Sequence, residues 1–227
     1  FEYAKSKNIK IINAVEISTK AKKAGVHVLG YNLDLNDEEF KERLSKIRNA
    51  RHNYLHDVAK KLEELGYYIN VEELDKIDAV TKAHIALDAT NNPKNKEKLL
   101  AEFGHIPSKG EFIETIMNEN CPAYVKKESA TPKEAAEIIR AANVFLAHPV
   151  AYVHEDNLTD EDILEIVNDM KPDGLEANYL YVDRYDKKFN ETEKWNKFAK
   201  EHNLFVTAGS DFHTKDGLRP EIGFINT

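Results

Sequence analysis

Three short apolar runs in this chain each lead directly to a residue that can ligate a metal. Leu204-Phe205-Val206-Thr207-Ala208 runs into Gly209-Ser210-Asp211-Phe212-His213, and Asn143-Val144-Phe145-Leu146-Ala147 runs into His148-Pro149. Lys10-Ile11-Ile12-Asn13-Ala14-Val15 delivers Glu16 and continues through Ile17-Ser18. Runs of this length read as buried strands. Asp211 and His213 stand one residue apart on extended backbone, so both side chains reach one small volume, and Pro149 stops further sheet pairing. Strands that carry ligands at or near their C-terminal ends predict a parallel α/β barrel with a metal site at its mouth. Taken singly, Asp211 is a natural helix N-cap and His148-Pro149 an ordinary loop; the recurrence on three strands is what points to a metal. Ser210 lacks the Gly-x-Ser-x-Gly context of a nucleophile elbow and reads as structural.

Composition limits the partners. At 227 residues the chain can bury one full core with an inserted subdomain. It carries 32 Lys and Arg against 40 Asp and Glu, a net charge of −8, so binding along an extended nucleic-acid duplex is not expected. A small phosphorylated substrate remains compatible, because a metal and a local arginine cluster override global charge. The single cysteine, Cys121, excludes an intrachain disulfide and suits a reducing, cytoplasmic location. No apolar run approaches ~18–20 residues, so no membrane partner is expected. Phe1 to Lys10 is too polar for a signal peptide. Phe1-Glu2-Tyr3-Ala4-Lys5 reads as the last turns of a helix, and the chain is expected to begin mid-domain.

Strands at 9–17 and 26–33 precede a long helical block. Asn36 as N-cap with Glu39 at the third position opens a helix whose apolar residues Phe40, Leu44, Ile47, Leu55, Val58, Leu62 and Leu65 recur at threes and fours, and Gly66 is its expected stop. Shorter helices are predicted at 71–76, 82–88, 96–103 and 109–118. Thr131-Pro132-Lys133-Glu134 is a well-formed helix start. From there strands and helices alternate: a helix to about 142, the strand ending at His148, a helix at 159–169, a strand at 173–177, a helix at 191–202 and the Val206 strand. The organisation is therefore a barrel in two parts, 1–35 and 124–227, around an all-helical insertion, 36–123.

Val15-Glu16-Ile17-Ser18-Thr19, His27-Val28-Leu29-Gly30-Tyr31, Leu146-Ala147-His148-Pro149 and Gly209-Ser210-Asp211-Phe212-His213 resemble, in order, successive motifs of the polymerase-and-histidinol-phosphatase (PHP) family. The resemblance is strongest to its small bacterial phosphoesterases with a helical insertion, and it covers nearly the whole chain. It implies a distorted (β/α)7 barrel, two or three divalent ions (manganese, iron or zinc, with magnesium also admissible), and hydrolysis of phosphate esters. Carried over, the metal ligands are Glu16, His27, His148, Asp211 and His213. Glu16 would bridge ions, and Asp211 would also orient the attacking water. Arg48, Arg51 and His84, in the insertion, would hold a non-reacting phosphate. The implied substrate is a nucleotide 3′,5′-bisphosphate or the 5′ end of a short oligonucleotide. The family's opening His-x-His and Asp-His motifs have no counterpart here, which fits a fragment or a degenerate site. His52 and His56, at i and i+4 on the long helix, cannot replace them and read as surface residues, as do His105, His154 and His202. Trp195, Tyr179, Tyr181 and Tyr185 read mainly as packing for the last helix. A histidinol-phosphatase-like enzyme and a non-catalytic barrel module are the alternatives.

Overall fold

The structure is a computed structural model that describes residues 2–77, 80–126, 129–140, 142–183 and 185–212. In chain order the elements are α1 (Glu2–Ser6), β1 (Ala14–Ala21), β2 (Ala24–Tyr31), α2 (Glu38–Glu64), α3 (Val71–Leu74) and α4 (Lys82–Asn91). After a 3₁₀ turn (Pro93–Asn95) come α5 (Lys96–Phe103) and α6 (Lys109–Phe112), the latter running into a π turn (Ile113–Met117). Then follow α7 (Pro132–Ile138), β3 (Asn143–Leu146), α8 (Pro149–Glu155), α9 (Asp160–Met170), β4 (Gly174–Asn178), β5 (Leu180–Val182), β6 (Lys188–Asn190), α10 (Thr192–Glu201) and β7 (Phe205–Ala208). The chain divides into two compact units, Phe1–Lys41 with Ser129–Thr227, and Glu42–Glu128.

The first unit is a mixed α/β layer structure. Its sheet has the order β1-β2-β3-β4-β7, and β5 and β6 form a separate hairpin. The pairs β3–β4 and β4–β7 are parallel, as a strand–helix alternation requires. The pairs β1–β2 and β2–β3 are antiparallel, so the all-parallel expectation gives way to a mixed sheet. The reason is local. β1 and β2 are joined by the two residues Lys22-Lys23, with Lys22 at φ 56°, and a connection that short permits only an antiparallel hairpin.

β1 also differs from the run at 9–17. Ile9, Ile11 and Ile12 are exposed and precede the strand, while pairing continues to Ala21. Inward Ile17 and Thr19 alternate with outward Glu16, Ser18 and Lys20, and this two-residue period carries the strand past its apolar start. The inward face, continued from Ile17 by Val28, Leu146 and Leu175, packs under α7 and α10, with α9 against α7, and Ala135, Ile139, Ile163, Met170 and Trp195 of these helices are buried. Gly30 is required by this packing: a Cβ there would stand 2.9 Å from Ile139 Cδ1. α7 starts as its sequence predicts, with Thr131 and Glu134 forming a reciprocal capping box and Pro132 in the first turn.

The second unit is all helical and has its own core. Tyr54, Leu55, Val58 and Leu62 of α2 meet Tyr67, Leu74, Ile85, Ala89, Leu99, Phe112, Ile116 and Met117. Asn95 is fully buried within it and satisfied, donating to the carbonyls of Tyr68 (2.7 Å) and Ala89 (2.8 Å) and accepting from Tyr68 N (2.7 Å). Asp37, and not the expected Asn36, caps α2, its Oδ1 accepting from Phe40 N at 3.1 Å. Gly66 ends that helix region at φ 79°, as expected. Among the described residues no helix is long and apolar enough to cross a membrane.

Candidate active site

Glu16 and His27 lie on the same face of the β1–β2 hairpin. Ser18 is the residue opposite His27, so Glu16 is its diagonal neighbour, within reach of a long side chain. Glu16 Oε1 stands 2.5 Å from His27 Nδ1. Across the sheet Ala147 N donates to His27 O at 3.1 Å, which fixes the end of β3 beside His27 and sets the His148 ring against it, centroids 5.6 Å apart and nearly perpendicular. His148 does not end in a loop, as His-Pro alone suggests. Pro149 is the first residue of α8, where a missing N–H costs nothing.

Glu176, on β4, completes the arrangement. It is a buried carboxylate, 7% exposed, and its Oε2 lies 3.2 Å from His148 Nδ1 and accepts from His148 N at 3.3 Å. An ionised carboxylate can only accept, so a hydrogen bond here places a proton on His148 Nδ1. Gly209 provides the space for this acid: a Cβ at Gly209 would collide with the Glu176 carboxylate. The Tyr179 ring stacks on His148 (4.7 Å, 26°), and its hydroxyl donates to Asp211 Oδ2 at 3.4 Å. Asp211 adopts φ 48°, a left-handed conformation that Asp tolerates better than most residues. Tyr152 accepts from His27 N at 2.8 Å.

The site is electronegative. Burial pushes the Tyr152 hydroxyl well above its usual range, and the charges of Glu16 and Glu176 push in the same direction. Tyr31, on the same face, is also raised, first by burial and then by Glu176 and Glu16. Burial is the main cause in both tyrosines, and the smaller push from Glu16 and Glu176 shows that the two carboxylates face the same volume. Imidazoles and carboxylates together are a donor set of the kind manganese, iron or zinc takes, so the chemistry of these residues is compatible with a divalent ion, although among the described residues no three of them bring ligand atoms within 4.8 Å of one another.

The structure thus brings together Glu16, His27, His148 and, through Tyr179, Asp211. His213 lies outside the described residues. Arg48, exposed, and Arg51, half-buried, are on α2, and His84 is on α4, all in the helical unit. His84 Nδ1 accepts from Thr81 N at 3.2 Å within a capping box, so its Nε2 carries the proton. Glu176 and Tyr152 were not among the residues singled out from sequence. An acid in the middle of Gly-Leu-Glu-Ala-Asn is the signal that could have found the first. His154, expected at the surface, is half-buried and engaged: its ring stacks on Phe189 at 3.8 Å, and Nε2 contacts Glu191 Oε1 at 2.8 Å. Trp195 is fully buried, its indole N–H donating to Glu191 Oε2 at 3.2 Å. Among the described residues one set of three potential ligand side chains comes within 4.8 Å, and it is His52, His56 and Asp75 in the helical unit.

No protein-family model matches the chain. It is 28% identical over 218 residues to a 5′-3′ exoribonuclease of Haemophilus influenzae, covering 92% of this chain and 72% of that protein. It is 22% identical over 216 residues to a 3′,5′-nucleoside bisphosphate phosphatase of Chromobacterium violaceum, covering 92% and 70%. Among solved structures it matches a protein of Bifidobacterium adolescentis described as a metal-dependent phosphoesterase, with a TM-score of 0.64 at 20% identity over 99% of this chain and 75% of that one. The mixed α/β architecture is therefore that of a known fold.

Proposed function

We propose that this chain is a metal-dependent phosphoesterase whose substrate is a small nucleotide, a 3′,5′-bisphosphate or the 5′ end of a short oligonucleotide. The observation that carries the reading is the convergence of Glu16, His27 and His148 on one electronegative face of the sheet. The names of the exoribonuclease and bisphosphate phosphatase relatives support the substrate class. In this reading the described sheet belongs to a distorted (β/α)7 barrel with an inserted helical domain, and Glu16, His27, His148, Asp211 and His213 hold two or three divalent ions.

Bound divalent ions would supply a nucleophilic water at neutral pH and neutralise charge on the phosphoryl group. The chain's own groups orient the pieces. Glu176 fixes the tautomer and plane of His148, Tyr179 holds both the His148 ring and one Asp211 oxygen, and Tyr152 anchors the backbone that carries His27. Arg48 and Arg51 supply permanently charged forks for a second phosphate, and the protonated Nε2 of His84 has the polarity to donate to it.

Turnover of a nucleoside 3′,5′-bisphosphate and of p-nitrophenyl phosphate with manganese tests both halves of this reading. Glu16→Gln and His148→Ala should depress both substrates by more than the roughly 10–100-fold that loss of an outer partner of a ligand costs. Arg51→Ala should selectively penalise the bisphosphate. Loss of a charged partner in a water-excluded site costs ~2–5 kcal/mol, roughly 30- to several-thousand-fold in kcat/KM. Undiminished activity in Glu16→Gln refutes the site; equal penalties on both substrates in Arg51→Ala refute the second-phosphate role.

A further inference from the structure

A second set of metal donors lies in the helical unit, well separated in sequence from Glu16, His27 and His148. His52 and His56 are one turn apart on α2, so their rings project from the same face of the helix, with centroids 4.8 Å apart. Asp75 follows the last residue of α3 and is held there by its N–H, which donates to Val71 O at 2.9 Å. Its carboxylate divides between the two rings: Oδ1 is 2.6 Å from His52 Nδ1, and Oδ2 is 3.6 Å from His56 Nε2.

Two further observations separate this group from an ordinary surface ion pair. Asp75 Oδ1 is shut off from solvent yet takes part in no hydrogen bond of acceptable geometry, although an imidazole nitrogen is 2.6 Å away. A buried carboxylate oxygen in that position carries a desolvation cost that the adjacent nitrogen does not offset by hydrogen bonding. In addition, one donor atom from each of the three side chains lies within 4.8 Å of the other two, and no other such set occurs among the described residues. The imidazoles are about half exposed, 51% and 50%, which gives an ion an entry path and leaves room for water to complete its coordination.

We propose that His52, His56 and Asp75 form a three-ligand site for a zinc-class divalent ion that ties α2 to the end of α3. Two imidazoles and one carboxylate are the donors that zinc, cobalt or nickel takes, whereas magnesium and calcium prefer oxygen alone. With bonds of about 2.0–2.1 Å a tetrahedral ion holds its ligand atoms about 3.3 Å apart. The His52–Asp75 contact opens by several tenths of an ångström to admit it, and the His56–Asp75 contact closes. The ion would join two helices that already share a core, since Leu55 and Val58 of α2 and Leu74 of α3 belong to one buried cluster. Its role is structural: it fixes the α2–α3 connection in the one conformation that presents all three donors. The site is independent of the phosphoesterase reading and stands or falls separately.

The test uses the full chain, stripped with chelator and titrated with zinc in a His148→Ala background that disables the other set of donors. One zinc equivalent should remain bound in that background. Adding His52→Ala or Asp75→Asn should weaken it at least tenfold and abolish the accompanying rise in Tm. Side-chain NMR resonances of His52 and His56 should move together as zinc is added. Cobalt in place of zinc should give the intense visible absorption of a four-coordinate ion, lost in the same variants. The two imidazoles are about half exposed, and the conservative His56→Gln serves as a further variant if His52→Ala compromises folding. Zinc binding of unchanged stoichiometry and affinity in His52→Ala and Asp75→Asn overturns the proposal, as does zinc that leaves the His52 and His56 resonances unmoved.

Discussion

At the scale of single residues the informative group is Glu176, an acid that touches an expected ligand without being one of the expected ligands. Its contribution works through His148, so Glu176→Gln preserves shape and removes charge. Manganese affinity measured by calorimetry should fall by roughly 10–100-fold, and activity should recover at saturating metal; affinity equal to wild type would show that the carboxylate charge is idle. Glu191 gives a second residue-level expectation. Burial works to raise its pKa, but the hydrogen bond from His154 and the charge of Lys194 outweigh it, and the carboxyl sits below the ordinary range. A depressed folded-state pKa stabilises the fold above the unfolded-state value, and that stabilisation disappears as pH falls through the folded value. The gap in urea midpoint between wild type and Glu191→Gln should therefore be largest near neutrality and shrink below the usual carboxylate range. A gap independent of pH would assign the effect to packing alone. Glu16, His27, His148 and Asp211 stand out in the sequence because each sits in an ordered motif beside a strand, and the structure sets the first three side by side. Glu176 does not stand out, since one acid in an apolar strand has no period or partner in sequence, and its meaning arises only when β3 and β4 pair.

Elements follow the same rule. Helices with side-chain signals at their starts were readable: Thr131-Pro132-Lys133-Glu134 opens α7, and Lys96–Phe103 matches α5 residue for residue. Thr131→Ala removes one half of the α7 capping box, and denaturant unfolding should register a loss of about 1 kcal/mol. A loss near zero would mean that the packing of Ala135 and Ile139 alone sets that helix. Misplaced boundaries arose where the deciding contact is tertiary. The Lys22-Lys23 turn contains neither Gly nor Asn, so nothing in the local sequence announces a hairpin; the ladder from Ala14↔Tyr31 to Ala21↔Ala24 enforces it. α8 was hidden because Pro149 reads equally well as the end of a strand and as the first turn of a helix. The His52–His56 pair was visible at helical spacing, but its third member, Asp75, is 23 and 19 residues away in sequence and was brought near by the turn that follows Tyr67 and Asn70.

At the scale of the whole molecule, the sheet partners β2 and β3 are separated by the entire helical unit, and the side chains of Asn32 and Asn143, hydrogen-bonded at 2.7 Å, are 111 residues apart. The entropy of closing so long a disordered loop grows only as its logarithm, but the search must be completed before any strand pairing repays it. Contacts inside the helical unit are shorter in range and include the consecutive helices α4, α5 and α6. That unit should therefore gather first during refolding and shorten the tether between β2 and β3. Pulse-labelled hydrogen exchange should register protection of α2 and α4 before Val28 and Leu146, and simultaneous protection would contradict this order. A kinetic dependence follows that no static contact reveals. Leu62→Ala, a truncation in the helical core, should slow the appearance of the β2–β3 ladder, because the two strands must then find each other across a tether that is still expanded.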